Sequence, residues 1–373
     1  MKSNKTIRSK INILNKNTNA LLLVSLENIK NNYNFLKNES KNSELGVSIK
    51  ANAYGLGYKK ICKTLIAIGC KTFFVANSQE GLEIIKIKKN INVYVLNGVT
   101  EKNIVITLIK KGVKLVINST YQLERLITIA KENKLKPNCA LHIDTGMNRL
   151  GINGNQIKTT IMLAKKYLKI SLVMSHLSCS ERKISKFNNL QLEKFKEFKS
   201  KFKEFKNIKF SLANSNGILL SKKFHFSLCR PGGLVYGLNL ANLKVNGIKN
   251  VVSLLAKVLQ VKSIKKGDYV GYGANYMARK CSKIATVGIG YSDGLPRNFS
   301  GSVYYKNNKF PIIGNISMDL CTIDISSCEE LKVNDWVEIF GNSISIEEFA
   351  NNCDTITYEI SSKIGSRVKR IYT

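Results

Sequence analysis

Over its first two-thirds the chain alternates short apolar runs with longer amphipathic stretches. The runs begin at Leu21 (LLLVS), Leu45 (LGVSIK), Thr72 (TFFVA), Asn92 (NVYVL), Lys114 (KLVI), Cys139 (CALHID), Ser171 (SLVMSH), Lys209 (KFSLAN) and Leu234 (LVYGL). Between most of them lie segments with apolar positions at helical spacing, such as GYKKICKTLIAIG and YQLERLITIAKEN. The runs read as buried strands and the segments as helices packed on them. Strand–helix alternation of this length predicts an α/β fold with a parallel sheet, and about eight repeats predict a (β/α)8 TIM-type barrel. Nine candidate strands are one too many, so a doubly wound open sheet stands as the alternative.

From about residue 245 the pattern changes. Long helical periods largely disappear, and 251–263, 283–289, 301–306, 321–325 and 335–340 read as strands between Gly, Asn and Asp turns. A second, mostly β domain is expected there. One helical stretch, ERKISKFNNLQLEKFKEFKSKFKEFK, spaces Phe187, Phe195, Phe198, Phe202 and Phe205 in a stripe among lysines. Such a stripe could bind a surface. A barrel helix with Phe inward and Lys outward is the favoured reading, because the barrel needs a helix at this point.

Composition adds limits. Hydrophobic residues make up 44% and charged residues 23%, values of an ordinary folded protein. The net charge of +34 invites a nucleic-acid role, but only nine of the 59 basic residues are Arg, the usual reader of base edges. The lysines are spread over the whole chain among Asn and Ile, so no nucleic-acid partner is expected. No apolar run reaches the length of a membrane span. The basic N-terminal stretch is followed by no apolar signal core, so a cytoplasmic location is expected. Nine Cys without a CxxC pair fit reduced thiols, and three His (His142, His176, His225) make a metal centre improbable.

Chemistry-bearing residues collect at strand ends, where barrels place their sites. Lys50 ends one strand. DTGMNR, from Asp144 to Arg149, follows another, His176 a third, and Asn214 and Ser215 a fourth, while Arg230, Pro231, Gly232 and Gly233 precede the expected last strand at Leu234. NSNG offers a hydroxyl and backbone N–H groups, and RPGG offers N–H groups clear of side chains, a set suited to phosphate. A lysine opposite a phosphate cradle suggests pyridoxal phosphate joined to Lys50 as a Schiff base. Taken singly, each piece has a plain alternative: a surface lysine, Asp144 capping a following helix, an N-cap at Asn214, a structural His.

Nine motifs in order, SIKANAYGLG, HIDTGMNRLG, MSHLS, ANSNG, RPGGLVYGL, VGYGANY, GIGYSDGLPR, GNISMDL and YEISSKIGSRVKRIY, resemble those of the pyridoxal-phosphate-dependent alanine racemases of bacteria over nearly the whole chain. The resemblance implies a barrel at 26–242 and a β domain at 243–373, with the strand at 19–25 joining the latter. It implies that Lys50 and Tyr276 are two opposed bases. The cofactor would be held by Lys50, Tyr54, His176, Asn214, Ser215, Arg230, Gly232, Gly233 and Tyr358. Arg149, Met318, Asp319 and Tyr291 would meet the substrate, with Tyr276, Met318 and Asp319 contributed by the other copy of a homodimer. The implied reaction interconverts L- and D-alanine and supplies D-alanine for peptidoglycan. Racemisation of another small amino acid such as serine, or a non-catalytic cofactor carrier, are the alternatives; the extra domain argues against the carrier. A related decarboxylase would be expected to set a carboxylate, not Arg230, at the pyridine nitrogen. One position departs from the family. A lysine, often carbamylated, is common two residues before the DTGM aspartate, and here His142 stands there. The negative charge that would position Arg149 is therefore missing.

Overall fold

A computed structural model of the chain describes residues 17–240, 245–306 and 308–373. The chain divides into two compact units: Leu26–Lys249, and the residues up to Ser25 together with Asn250–Thr373. The expected boundary between residues 242 and 243 lies outside the described residues.

The first unit is a parallel barrel. Strands Val47–Ser48, Thr72–Val75, Asn92–Val95, Lys114–Ile117, Asn138–His142, Lys169–Met174 and Lys209–Ser211 pair in sequence order. The first strand begins one step earlier, at Glu44–Leu45, and there it pairs in parallel with Leu228–Cys229. Leu228–Cys229 is tied to its other neighbour through the Ser227 N–H to the Phe210 carbonyl at 3.1 Å and the Arg230 N–H to the Ala213 carbonyl at 2.9 Å. Eight strands therefore close on themselves, and the open-sheet alternative is set aside.

This corrects the expected eighth strand. LVYGL does not form one: Gly233–Tyr236 is a 3-10 turn, and the strand is the two-residue Leu228–Cys229 upstream. Arg230 to Gly233 consequently follow the last strand instead of preceding it. That places them at the same end of the barrel as Lys50, His176 and Ser215.

Inward-facing residues of six strands fill the barrel interior. Phe74, Tyr94, Val116, Ala140, Leu172, Met174 and Leu228 form a single buried cluster. Each faces inward because side chains alternate along a strand. The N-terminal floor is polar. Glu44 accepts from Thr72 and Lys209, Lys114 Nζ donates to Asn92 Oδ1 at 2.7 Å, and Tyr94 and Ser171 share a hydrogen bond of 3.1 Å. These groups partner one another and leave the opposite mouth as the place for chemistry.

The outer helices start where the sequence supplies caps. Asn77, Glu101, Ser119 and Asn214 each accept a backbone N–H of the first turn that follows. The Phe stripe belongs to the helix Lys186–Ser200 and the turn after it, with Phe195, Phe198 and Phe202 buried. Phe195 meets the Phe226 ring edge-on at 4.9 Å between centroids.

In the second unit the long strand Val252–Ile264 is shared. Its first half pairs with Ala20–Val24 and with Trp336–Phe340, and its second half with Ser282–Val287. Cys321–Asp324, Asn308–Ile313 and Ser302–Tyr305 complete the sheet, and Lys369–Tyr372 runs parallel to Ala20–Val24. The apolar run at Leu21 is thus spent here, which removes the ninth barrel candidate. Two short helices, Ile346–Asn351 and Thr357–Ser362, also occur in this unit. Among the described residues no helix is long and apolar enough to cross a membrane.

Phe195→Ala is expected to destabilise the protein by about 3–5 kcal/mol, the cost of emptying a fully buried aromatic site. Urea unfolding measures this. An unchanged midpoint would return the Phe stripe to the surface.

Candidate functional site

The chain leaves the first barrel strand through an unusual turn. Ala51, Asn52, Ala53 and Tyr54 have φ values of 51°, 55°, 55° and 56°. Four consecutive L-residues thus wind left-handed, at a cost of about 1–2 kcal/mol each. The turn closes its own bonds, Ala53 N–H to the Ile49 carbonyl at 3.0 Å and Gly55 N–H to the Ala51 carbonyl at 2.8 Å. Glu80 braces it from the next loop. One carboxylate oxygen takes the Ala51 N–H at 2.6 Å, and the other takes the Ala76 N–H at 2.8 Å. Asn52 Oδ1 accepts from the Tyr58 N–H at 3.0 Å.

Lys50 opens this turn. Burial, and then the nearby positive charge of Arg149, push its amine below the ordinary lysine value, while Glu80 opposes the shift. Its tendency toward the neutral form comes from the removal of water and from a cation close by.

Tyr54, four residues on, closes a cradle. Ser215 Oγ accepts the N–H groups of Gly232 at 2.8 Å and of Leu234 at 3.3 Å. A Cβ on Gly232 would overlap the Tyr54 hydroxyl, so only a residue without one lets that hydroxyl approach the backbone. Tyr54 is hydrogen-bonded to Ser48, and its ring lies 5.1 Å from that of Tyr236, whose hydroxyl donates to the Ser48 carbonyl at 2.7 Å. Burial raises the Tyr54 pKa and keeps its O–H a donor. Asn214 caps its own helix through the Gly217 N–H at 2.9 Å and bridges to Arg230. Asn214 therefore plays the N-cap part that the sequence allowed, and it holds Ser215 in place.

Arg230 is buried at the end of its strand. Its guanidinium donates to the Ser211 hydroxyl and the Ser175 carbonyl, lies 3.4 Å from His176 Nδ1 and sits 5.9 Å over the Phe74 ring. Burial brings its pKa down to about 10, which still leaves it charged. A guanidinium only donates, so His176 Nδ1 is the acceptor and its proton is on Nε2. Burial first, then Arg230 and Arg149, drive His176 well below the ordinary histidine value.

The DTGMNR loop doubles back on the strand that precedes it. Asp144 Oδ1 accepts the N–H groups of Gly146 and Met147, both at 2.9 Å, so Asp144 caps this loop and not a helix. The Ile152 N–H reaches the His142 carbonyl at 2.8 Å, and Gly151, at φ 125°, is pressed against the Asp144 backbone. This return brings Arg149, itself exposed, within electrostatic reach of Lys50, His142 and His176.

Three residues at this mouth were missed in the sequence. Glu80 braces the Lys50 turn. Gln191, fully buried, gives its amide N–H groups to the His176 carbonyl at 2.9 Å and Thr145 Oγ1 at 3.1 Å and accepts the Ser178 N–H at 2.9 Å. Asn118 receives His142 at 2.8 Å. Asn118 follows the KLVI strand, so the strand-end rule that singled out Lys50 would have found it. Glu80 and Gln191 are on helices and carried no such signal.

The other site residues lie in the second unit. Tyr276 starts a short strand, Tyr276–Met277, paired with Tyr269–Val270, and its half-buried ring packs on Val270, Ile284 and Ile313. Asn315 donates to the Tyr272 carbonyl at 2.8 Å. The Tyr291 N–H reaches the Ser317 carbonyl at 3.1 Å, and the Ser292 N–H the Met318 carbonyl at 3.0 Å. Tyr291 and Met318 are exposed, and Asp319 is held by Arg367 at 2.7 Å, which also binds Asp293 at 3.0 Å. Three loops are thereby fixed together. Tyr358 lies on the helix Thr357–Ser362.

Residues 24–240 match the family described as alanine racemase, N-terminal domain, and residues 251–372 match alanine racemase, C-terminal domain. This chain belongs to the alanine racemase family. An alanine racemase from Rickettsia bellii is 41% identical over 90% of this chain and 82% of its own length. One from Rickettsia peacockii is 38% identical over 94% of this chain and 98% of its own. A crystal structure of alanine racemase from Bartonella henselae with covalently bound pyridoxal phosphate superposes with a TM-score of 0.90 at 34% identity, covering 95% of this chain and all of that one.

As a member, the chain is a pyridoxal-phosphate-dependent isomerase of a small amino acid. The barrel residues fit that cofactor on their own chemistry. Ser215 and Tyr54 bring two hydroxyl groups together beside the Gly232 backbone, which suits a phosphate. Arg230 presents N–H donors and no carboxylate. Lys50 supplies the amine that would carry the aldehyde carbon.

Gly232→Ala forces the Tyr54 hydroxyl away from the cradle. Affinity for pyridoxal phosphate, titrated by absorbance on the apoprotein, is expected to fall at least tenfold, about 1.4 kcal/mol. Unchanged affinity would remove the cradle from the site.

Proposed function

We propose that this protein interconverts L- and D-alanine, with Lys50 and Tyr276 as bases on opposite faces of the substrate. Tyr276 would come from a second copy in a homodimer with shared sites. The D-alanine would be made in the cytoplasm and serve peptidoglycan synthesis. The observation that carries this reading is a lysine amine, depressed by burial and by Arg149, at a mouth that also holds an anion cradle.

Racemisation must take the Cα proton from one face and return a proton to the other. A single base tends to return it to the face it left, so two are needed. Lys50 is suited to one face because burial and Arg149 favour its neutral, proton-accepting form. Tyr276 would hold or deliver the proton on the other face. Arg149, exposed at the mouth, would take the substrate carboxylate and set the Cα–H bond along the line between the two bases. When bound, pyridoxal phosphate supplies electron withdrawal that makes the Cα proton acidic. Arg230, which only donates, would disfavour a proton on the ring nitrogen and so temper that withdrawal. Less spreading of charge onto the ring disfavours transamination. His176, held neutral, adds no charge and orients Arg230.

Lys50→Ala should lose the cofactor's visible absorbance and the activity while keeping its far-ultraviolet circular dichroism. A protein that kept the absorbance would sink the proposal. Tyr276→Phe should slow deuterium uptake from solvent more for one alanine enantiomer than for the other, and equal near-wild-type rates would remove it as a base. Sharing of sites is tested by mixing the two variants after dissociation. Half of randomly reassembled dimers are hybrids with one intact site, so about a quarter of wild-type activity should return. No recovery from hybrids shown to have formed would place both bases on one copy. Parallel assays with serine define the substrate.

A further inference from the structure

The Phe stripe seats a buried glutamine beside the barrel mouth. Gln191, Phe195 and Phe198 recur at helical spacing on the helix Lys186–Ser200 and share its inward face. All three are buried. Phe195 lies edge-on against Phe226, so the helix cannot rotate without emptying an aromatic site.

The Gln191 amide spends both of its donors. Nε2 gives one hydrogen to the His176 carbonyl at 2.9 Å and the other to Thr145 Oγ1 at 3.1 Å. Oε1 accepts the Ser178 N–H at 2.9 Å. A carbonyl only accepts and an N–H only donates, so these partners decide which end of the amide faces which. A reversed amide would set oxygen against oxygen and N–H against N–H.

The segment that Gln191 grips begins where the barrel strand ends. The Ser175 N–H still reaches the Ser211 carbonyl at 3.0 Å. Beyond it, Gln191 holds the chain at His176 and at Ser178. Two of the three acceptors of the buried Arg230 guanidinium lie in this stretch: the Ser175 carbonyl, and His176 Nδ1 at 3.4 Å. The third, Ser211 Oγ, ends the neighbouring strand. Thr145 adds a second tie, because its Oγ1 shares a hydrogen bond of 2.8 Å with Ser175 Oγ.

We propose that Gln191 is a positioning residue for Arg230, whose amide holds the segment 175–178 and with it two of the three acceptors of the guanidinium. Its consequence for the reaction rests on the reading above, in which Arg230 faces the ring nitrogen of the cofactor. A guanidinium is a rigid planar fork, so its acceptors set the direction of its plane. With the Ser175 carbonyl and His176 released, Arg230 would tilt and temper the electron withdrawal of the ring less. Gln191 thereby bears on reaction specificity from an outer helix of the barrel.

Two measurements on the full chain test this. Gln191→Met keeps the length of the side chain and removes the amide. In protein labelled with ¹⁵N-histidine and free of cofactor, wild-type His176 should show one neutral tautomer, protonated at Nε2, and Gln191→Met a mixture of both. His176→Asn, which lacks the signal, assigns it. Identical His176 signals in wild type and Gln191→Met overturn the proposal whatever happens to the melting temperature, because a merely structural glutamine would change stability and leave the ring as it was. In cofactor-loaded protein given L-alanine, the oxo acid released per racemisation event measures transamination. That ratio should rise roughly threefold or more in Gln191→Met, and an unchanged ratio overturns the proposal. If Gln191→Met does not fold, Gln191→Glu takes its place under the same outcomes, since an ionised carboxylate still accepts the Ser178 N–H and donates to neither oxygen. If the wild type does not racemise alanine, the functional reading fails instead, and the His176 signals still decide whether Gln191 holds this segment.

Discussion

Arg230 is buried without a carboxylate beside it among the described residues, and the barrel mouth is built around that charge. Its charge is satisfied by a hydroxyl, a carbonyl and an imidazole nitrogen, all neutral. With Arg149 it gives the mouth a positive potential that Glu80 and Asp144 only partly oppose. Lys50, His142 and His176 are all pushed toward their neutral forms, first by burial and then by the arginines, Arg149 for Lys50 and both for the two histidines. Such a field favours anionic ligands.

The electrostatics depend in turn on closure of the barrel. Pairing of Leu228–Cys229 with Glu44–Leu45 brings the last loop beside the first, so that Gly232 can touch Tyr54. A two-residue strand is too short to show a period of two, and the apolar run at Leu234 outweighed it in the sequence. What the run could not reveal is that Gly232 and Gly233 begin a tight turn there, with the apolar residues buried in it. The excess strand at Leu21 misled for a different reason. Its pattern is that of any buried strand, and only its pairing with Val252–Ala256 shows which sheet it serves.

At the site, legibility followed chain position. Residues at strand ends, from Lys50 to Arg230, stood out because a barrel assigns meaning to that place. Asn118 shares it, in a stretch that reads equally well as a helix start. Glu80 and Gln191 act through backbone groups of other loops, a relation that no local pattern records. Asp144 was legible as a cap, but its target was wrong, since the N–H groups it receives belong to its own loop. The replacement at His142 was visible as a loss of charge. The Asn118 amide that meets its Nδ1 comes from the end of another strand and is brought there only by folding.

The left-handed turn after Lys50 bears on how the sequence can change. Mirror-image residues would adopt the φ values of Ala51 to Tyr54 without strain, so this stretch of L-chain has a D-chain's preferred backbone. β-Branched side chains fit that conformation worst, and the segment has none: two alanines, an asparagine and a tyrosine lead into a glycine. Part of the Lys-Ala-Asn-Ala-Tyr-Gly pattern is therefore a record of backbone handedness. Substitutions at 51 to 53 are constrained by chirality even though those side chains do no chemistry.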